Sequence, residues 1–358
     1  MWGWQIEQAG LGYTALLVDE DDESVVARVL VDNIQRNRGV TSATLTVLTG
    51  ISTARKMGKT FVTNEFLTFT SGRQKREFAV RLDNLILPPP GGAHPDWEQL
   101  VEGLVDRVGE IENRPPPVRN LAMVRARGPV SYLVDFLVPE RRPTILYGAG
   151  GTGKSVFAAC LATCVRIGEP FMDFDTRAAN VLYLDWETTE EDVAANVSMA
   201  AQGLGVPTPE VLYLSMVNPL EYRLPEISRI VAERKVELVI IDSATMASRS
   251  PNDGEASVSA LDLFRSLRQL DCAALVLDHV TGEDMKKGSS AKPYGSVFKW
   301  NAARNAFEIR QSTRASNNHR VTLIHRKSNL TRRIEDFDVT YQWGYNSVRL
   351  DKAVQYLT

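Results

Sequence analysis

The chain has 358 residues, 44% of them apolar, and a formal net charge of −3. This is more chain than one core usually holds, so two domains are expected and global disorder is excluded. The charge total gives no pointer to nucleic acid, three cysteines (Cys160, Cys164, Cys272) make no disulfide framework, and no apolar run reaches the roughly 18 residues of a membrane helix.

The opening stretch MWGWQIEQAG lacks a basic segment followed by an apolar one. No signal peptide is therefore expected, and a cytoplasmic setting without membrane contact is. Residues 1–88 read as a β-rich accessory domain, a small barrel or sandwich. Candidate strands are 13–18, 24–31, 41–49, 61–70 and 77–87, rich in Val, Thr, Phe and Leu. DEDDE (19–23) and SGRQKR (71–76) read as solvated turns. Arg55, Lys56, Lys59, Arg73, Lys75 and Arg76 fall in two turns near Phe61, Phe66, Phe69 and Phe78. A barrel that binds single strands would use such residues, although core phenylalanines are the commoner case. Residues 89–120 hold two breaker clusters around WEQLVEGLVDRVGEI (97–111), which has helical spacing, and read as a linker with a helix.

From 121 to 358 the pattern changes. Strands at 144–148, 180–185, 210–215, 236–242 and 272–280 alternate with helices at 154–168, 190–205, 226–234 and 257–270. Such alternation predicts an α/β fold, a doubly wound and mostly parallel sheet covered on both faces. AFEIRQ, HRVTLIHRKS and DFDVTYQWG then read as antiparallel strands. Cys160 and Cys164 lie four apart on one helix face with no further ligand nearby and read as core.

GAGGTGKS spans Gly148, Ala149, Gly150, Gly151, Thr152, Gly153, Lys154 and Ser155, and fits G-x-x-x-x-G-K-[ST] between a strand and a helix. Glycines let backbone N–H groups wrap phosphates, and the helix N-terminus adds positive potential. Lys154 is expected to reach the β- and γ-phosphates of ATP and Ser155 to ligand Mg²⁺. LVIID (238–242) is an apolar strand ending in Asp242, which would hold the Mg²⁺ through Ser155 or water. VLYLDWETTEED (181–192) brings Asp185 and Glu187 to another strand end, where TTEED also suits a helix cap.

Gly148–Ser155, YLDWE (183–187), LVIIDS (238–243), NDGEAS (252–257), LVLDH (275–279), YGS (294–296), NAAR (301–304) and KSN (327–329) follow in that order. Over about residues 128–335 the chain resembles the hexameric RecA-like ATPases, especially the superfamily 4 plasmid replicative helicases of the RepA type. The resemblance implies that Glu187, in preference to Asp185, orients and activates the attacking water. It implies that His279 senses the γ-phosphate, with Asp278 standing where relatives often carry a second histidine. It assigns Arg304 as the finger inserted into a neighbour's site and Lys327 as a second cation acting in trans. Asn329 replaces the arginine many relatives carry two positions after the lysine, which moves the finger role towards Arg304.

Residues 281–333 carry twelve Lys or Arg against three Asp or Glu, a local excess of nine in an acidic chain. A solvated face is the plain reading of such a run, and a nucleic-acid track the functional one. In RecA-like rings a loop after the His279 strand lines the pore. Lys286, Lys287 and Lys292 are therefore candidates for phosphate contacts with single-stranded DNA, with Arg249 a weaker one from the loop 246–257. The expected protein is an ATP-dependent, ring-forming DNA helicase or translocase in replication, a homo-oligomer that meets other replication proteins. A recombinase-type filament and a regulatory or defence ATPase that never moves DNA are the alternatives.

Overall fold

The computed structural model describes residues 2–19, 25–49, 60–86, 94–115, 118–123, 128–248, 256–280, 297–314 and 318–353. The chain divides into two compact units, Met1–Arg125 and Ala126–Thr358.

The first unit is one antiparallel meander, β1 (Trp2–Ala9), β2 (Gly12–Asp19), β3 (Val25–Asn37), β4 (Val40–Thr49) and β5 (Thr60–Thr68), with spatial order equal to sequence order. Two helices follow, α1 (Gly72–Leu85) and α2 (Trp97–Glu112). Among the described residues the unit is thus an open five-stranded sheet with helices against it, rather than the barrel or sandwich expected. Residues 77–85 of the segment expected as a strand (77–87) belong to α1, and Ile86 is its extended C-cap. Ser71 Oγ caps that helix by accepting from Gln74 N (3.3 Å), and Phe78, Ala79 and Leu82 are buried at one-turn spacing. SGRQKR is therefore a cap and first helical turn, with Arg73 paired to Glu77 and Lys75 to Glu102 along helix faces. Phe69 and Phe78 are core and Phe66 is exposed. Arg55, Lys56 and Lys59 lie outside the described residues.

The helix expected as a linker is structural. α2 is capped by Asp96 and buries Trp97, Leu100, Val101, Leu104, Val105 and Val108, an i, i+3, i+4, i+7 stripe, in one core with Leu17, Val29, Leu45 and Val47 of the sheet. Each such side chain contributes about 1.5–3 kcal/mol on burial. Trp4 Nε1 also donates to Leu100 O (2.7 Å).

The second unit contains a nine-stranded sheet. Its strands are β8 (Pro143–Gly148), β9 (Asn180–Asp185), β10 (Leu212–Ser215), β11 (Val236–Asp242), β12 (Ala273–His279), β13 (Asn305–Arg314), β14 (Asn318–Ser328), β15 (Phe337–Trp343) and β16 (Val348–Lys352), in the order β10-β9-β11-β12-β8-β13-β14-β15-β16. A small ribbon, β6 (Tyr132–Val134) and β7 (Val138–Pro139), precedes it. The six strands from β10 to β13 are parallel and the last three alternate direction. Helices α3 (Lys154–Ile167), α4 (Glu190–Leu204), α5 (Leu224–Glu233) and α7 (Ala256–Gln269) connect the strands, with a single turn α6 (Ala244–Ala247) after β11. This is the doubly wound, mostly parallel α/β fold that the alternation predicts, preceded by a β-rich unit.

The inner parallel strands β8, β9, β11 and β12 are largely apolar because both faces are covered; β8 is buried at all six positions. The core joins α3 and α4 to one face of the sheet and includes Cys160 and Cys164. All three cysteines are free and buried, and burial pushes the Cys164 and Cys272 thiols up to about 12. They are inert packing groups. Among the described residues no helix is long and apolar enough to cross a membrane.

Candidate functional site

Parallel register gathers the site. Asp242 ends β11 opposite Asp185 at the end of β9, and His279 ends β12 opposite Gly148 at the end of β8. Three strand ends thus deliver polar side chains, and β8 the glycine that opens the loop, to one edge, the carboxyl edge where doubly wound sheets hold ligands.

The loop Gly148–Gly153 turns β8 into α3. Three of its four glycines are required by geometry. A Cβ on Gly148 would stand 2.3 Å from Ile309 O, and Gly151 and Gly153 take φ of +73° and +84°. Thr152 Oγ1 donates to Ala149 O (2.9 Å) and ties the loop to itself. Lys154 opens α3 and is buried, its amino group donating to Gly148 O (3.1 Å) and Ala149 O (2.9 Å). Burial lowers its pKa, opposed by the charges of Asp242, Glu187 and Asp278. Tyr341 of β15 closes the loop from the side, donating to Gly153 O (3.1 Å).

Asp242 is buried, accepts from Tyr183 Oη (2.7 Å) and is hydrogen-bonded to Ser155. Burial raises its pKa, and those two hydrogen bonds oppose the rise. A serine hydroxyl and a carboxylate in contact are hard oxygen donors, which fit Mg²⁺. Among the described residues no group of three or more His, Cys, Asp or Glu could hold a metal. The ion would therefore share Ser155 and Asp242 with phosphate oxygens, as Mg²⁺ commonly does.

The two carboxylates of VLYLDWETTEED separate clearly. Asp185 is buried and saturated: Oδ1 accepts from Glu187 N (3.0 Å) and Thr188 N (3.2 Å), and Oδ2 from Thr188 Oγ1 (2.7 Å) and Tyr213 Oη (3.3 Å). It braces the turn leaving β9. The chain then enters α4 through Thr189, whose Oγ1 accepts from Asp192 N (3.3 Å), with three acids in the first turn where the helix dipole favours them. Trp186 is anchored by its indole N–H to Asn218 O (2.9 Å).

Glu187 is the carboxylate left facing outward at this edge. It accepts a hydrogen bond from Ser243 Oγ, and its Oε1 lies 3.4 Å from His279 Nε2. His279 Nδ1 lies 3.5 Å from Lys154 Nζ. The histidine thus stands between the phosphate-loop lysine and Glu187. The hydrogen bond to His279, then that to Ser243, holds the Glu187 pKa below the ordinary carboxylate value, against the effect of burial. An ionised carboxylate beside a phosphate loop is able to take a proton from water or hold that water in line.

The structure does not bring Arg304 and Lys327 to this loop. Asn305 pairs with Thr144 and Ile309 with Gly148, so Arg304, hydrogen-bonded to Pro143 O, lies at the opposite end of β8, about five residues or ~16 Å along the strands from the loop. Arg304 is exposed; burial, and after it the charge of Arg304, lowers the Lys327 pKa. Lys327 Nζ donates to Trp300 O (2.6 Å), Asn301 O (3.3 Å) and Ala303 O (2.9 Å), capping the short helix Val297–Ala302. Arg249, Lys286, Lys287 and Lys292 lie outside the described residues.

Within the basic segment several cations are already engaged. Lys299 is buried against Asp278, and Arg310 and Arg326 flank the buried Glu308 at 2.6 Å each. Sequence reasoning assigned no role to Ser243, Tyr183, Tyr341 or Thr245. Ser243 stood inside the LVIIDS motif, the one signal that could have marked it. The tyrosines carried no local signal, since only the folded sheet places them.

Of the comparisons with known proteins, the family model spans the phosphate loop. No curated protein matches the chain. A solved KaiC-like protein from the hyperthermophilic archaeon Pyrococcus horikoshii OT3 is similar at 17% identity and a TM-score of 0.45, covering 62% of this chain and 99% of its own. A family model described as an AAA domain matches residues 107–285, half of the chain. The chain belongs to this AAA-domain family of P-loop ATPases.

Proposed function

We propose that the chain is an ATP-dependent, ring-forming helicase or translocase that acts on single-stranded DNA in replication. The observation that carries the reading is the network Lys154–His279–Glu187–Ser243 at the edge of the phosphate loop. In this reading Lys154 and the loop amides hold the β- and γ-phosphates, Glu187 activates water, and His279 reports the γ-phosphate to the segment after β12. Mg²⁺ at Ser155 and Asp242 would neutralise phosphate charge. The exposed Arg304 sits at the far end of β8 from its own loop, which suits a cation offered to a neighbouring subunit; an assembly, ring-shaped and hexameric by resemblance, would supply that neighbour. Lys327 is the weaker trans candidate, because three carbonyls already occupy its amino group. Lys286, Lys287, Lys292 and Arg249 are the proposed DNA-backbone contacts.

The test is strand displacement on a forked duplex with ATP, with Lys154→Ala as control. Displacement that Lys154→Ala abolishes is expected. ATPase activity indifferent to single-stranded DNA at low salt, with no displacement, would refute the reading. One observation favours the regulatory alternative: Lys299, Arg310, Arg326 and Lys327 are engaged within the chain, which shrinks the basic surface left for DNA. That alternative predicts ATPase activity without DNA stimulation. Negative-stain images separate rings from a recombinase-type filament.

A further inference from the structure

Directly behind the network lies a charge pair that the proposed reaction does not use. Asp278 is 0% and Lys299 4% exposed. Lys299 Nζ stands 3.2 Å from Oδ1 and 3.1 Å from Oδ2 of Asp278, and Thr245 Oγ1 donates to Oδ1 (3.0 Å). Three segments meet at this carboxylate: the end of β12, the turn α6 that carries Thr245, and the helix Val297–Ala302 that carries Lys299.

Stability alone is a poor reason for such a pair. Desolvating two charges costs about what their attraction returns, and well-packed apolar replacements are often neutral or better. The location is more informative. Asp278 immediately precedes His279, which stands 3.4 Å from Glu187 and 3.5 Å from Lys154. Thr245 lies two residues after Ser243, the donor to Glu187. Of the two groups that contact the Glu187 carboxylate, His279 thus directly follows Asp278 in the chain, and Ser243 stands two residues before Thr245, which Asp278 holds. The far end of the Lys299 helix is fixed as well, by Lys327 on its terminal carbonyls.

We propose that Asp278, neutralised by Lys299, is a positioning residue for hydrolysis, holding His279 and Ser243 in register on the Glu187 carboxylate. The inference rests on the hydrolytic reading of Glu187. It makes the departure from a second histidine at position 278 meaningful: an anion there recruits Lys299 and so ties the helix Val297–Ala302 to the nucleotide edge.

The test compares the full-length wild type with Lys299→Arg, with the apolar double variant Asp278→Leu/Lys299→Met, and with Asp278→Asn. ATP affinity is read by fluorescent-nucleotide titration and chemistry by single-turnover hydrolysis. The double variant should bind ATP within about threefold of wild type while hydrolysing it at least about tenfold more slowly, and Lys299→Arg should stay within about threefold in both. Circular dichroism melts establish folding; should the double variant not fold, Asp278→Asn is held to the same split. Wild-type turnover in the folded variant, or equal losses of affinity and turnover, would overturn the proposal. Turnover lost in Glu187→Gln but kept in the 278/299 variants counts against this inference alone. A wild type whose turnover Glu187→Gln leaves intact counts against the hydrolytic reading beneath it.

Discussion

Replacing Glu187 by Gln changes one charge and almost no shape. The amide oxygen of Gln can still accept from Ser243 Oγ and from His279 Nε2, the two contacts the carboxylate makes. Lys154 keeps its carbonyl partners in the loop, so the phosphate cradle is untouched. ATP affinity should therefore change by less than about threefold. The proton acceptor is gone, however, and a positioned general base is worth roughly 10²–10⁴ in rate, or about 2.7–5.4 kcal/mol of barrier. Calorimetric titration with ATP and single-turnover hydrolysis of γ-labelled ATP separate the two quantities. Turnover within about threefold of wild type, with binding intact, would refute the assignment. Asp185 would be a poor refuge for it, because four hydrogen bonds already occupy its oxygens. The pH dependence is a second check. Glu187 is held below the ordinary carboxylate value, so it is ionised at neutrality, and any acid limb it causes must lie below that value.

Gly153→Ala places a Cβ 2.9 Å from the Tyr341 ring at φ +84°, where a non-glycine residue costs about 1–2 kcal/mol, so ATP binding should weaken by roughly tenfold in a nucleotide titration. Gly203→Ala makes the contrasting case: its Cβ would meet Val348 O at 2.1 Å, far from the loop, so the melting temperature should fall while ATP affinity holds. His325 is buried, stacked on Phe307 and bonded through both ring nitrogens, and burial pushes its pKa down to about 4. The unfolded chain takes up that proton near pH 6.5 and the folded chain does not. This contribution is thus complete above about pH 6.5 and lost as pH falls towards 4; urea unfolding at pH 7.5, 6 and 5 should show the decline, and a flat profile would contradict it. Mixing Arg304→Ala subunits with Glu187→Gln subunits should recover part of the ATPase activity that neither has alone, and absence of recovery would remove Arg304 as the finger.

The alternation of strands and helices in the second unit was legible because each signal there is local and strong. Buried parallel strands such as LVIID are uniformly apolar, and Gly168 and Gly205 stop α3 and α4 in left-handed caps. The first unit was less legible. In EFAVRLDNLIL a partial alternation outweighed the Ser71 cap, and only packing of Phe78, Ala79 and Leu82 at helical spacing decides for α1. The strand Trp2–Ala9 and the structural role of α2 were missed for the same reason, since each exists by burial against residues distant in the chain.

The sequence by itself determined the phosphate loop, the alternation of elements in the second unit and the presence of two acids at the end of β9, because spacing along one chain carries all three. Tertiary structure decided what those acids do. Register across β9 and β11 sets Asp185 beside Asp242, and the bonds of Tyr213 and Thr188 retire Asp185 to a structural brace. Glu187, two residues on, is left between Ser243 and His279, which come from separate strand ends. The same holds for the basic segment. Its charges could be counted in the sequence, but which of them are neutralised depends on Asp278 and Glu308, carboxylates whose burial beside Lys299, Arg310 and Arg326 only the folded sheet produces.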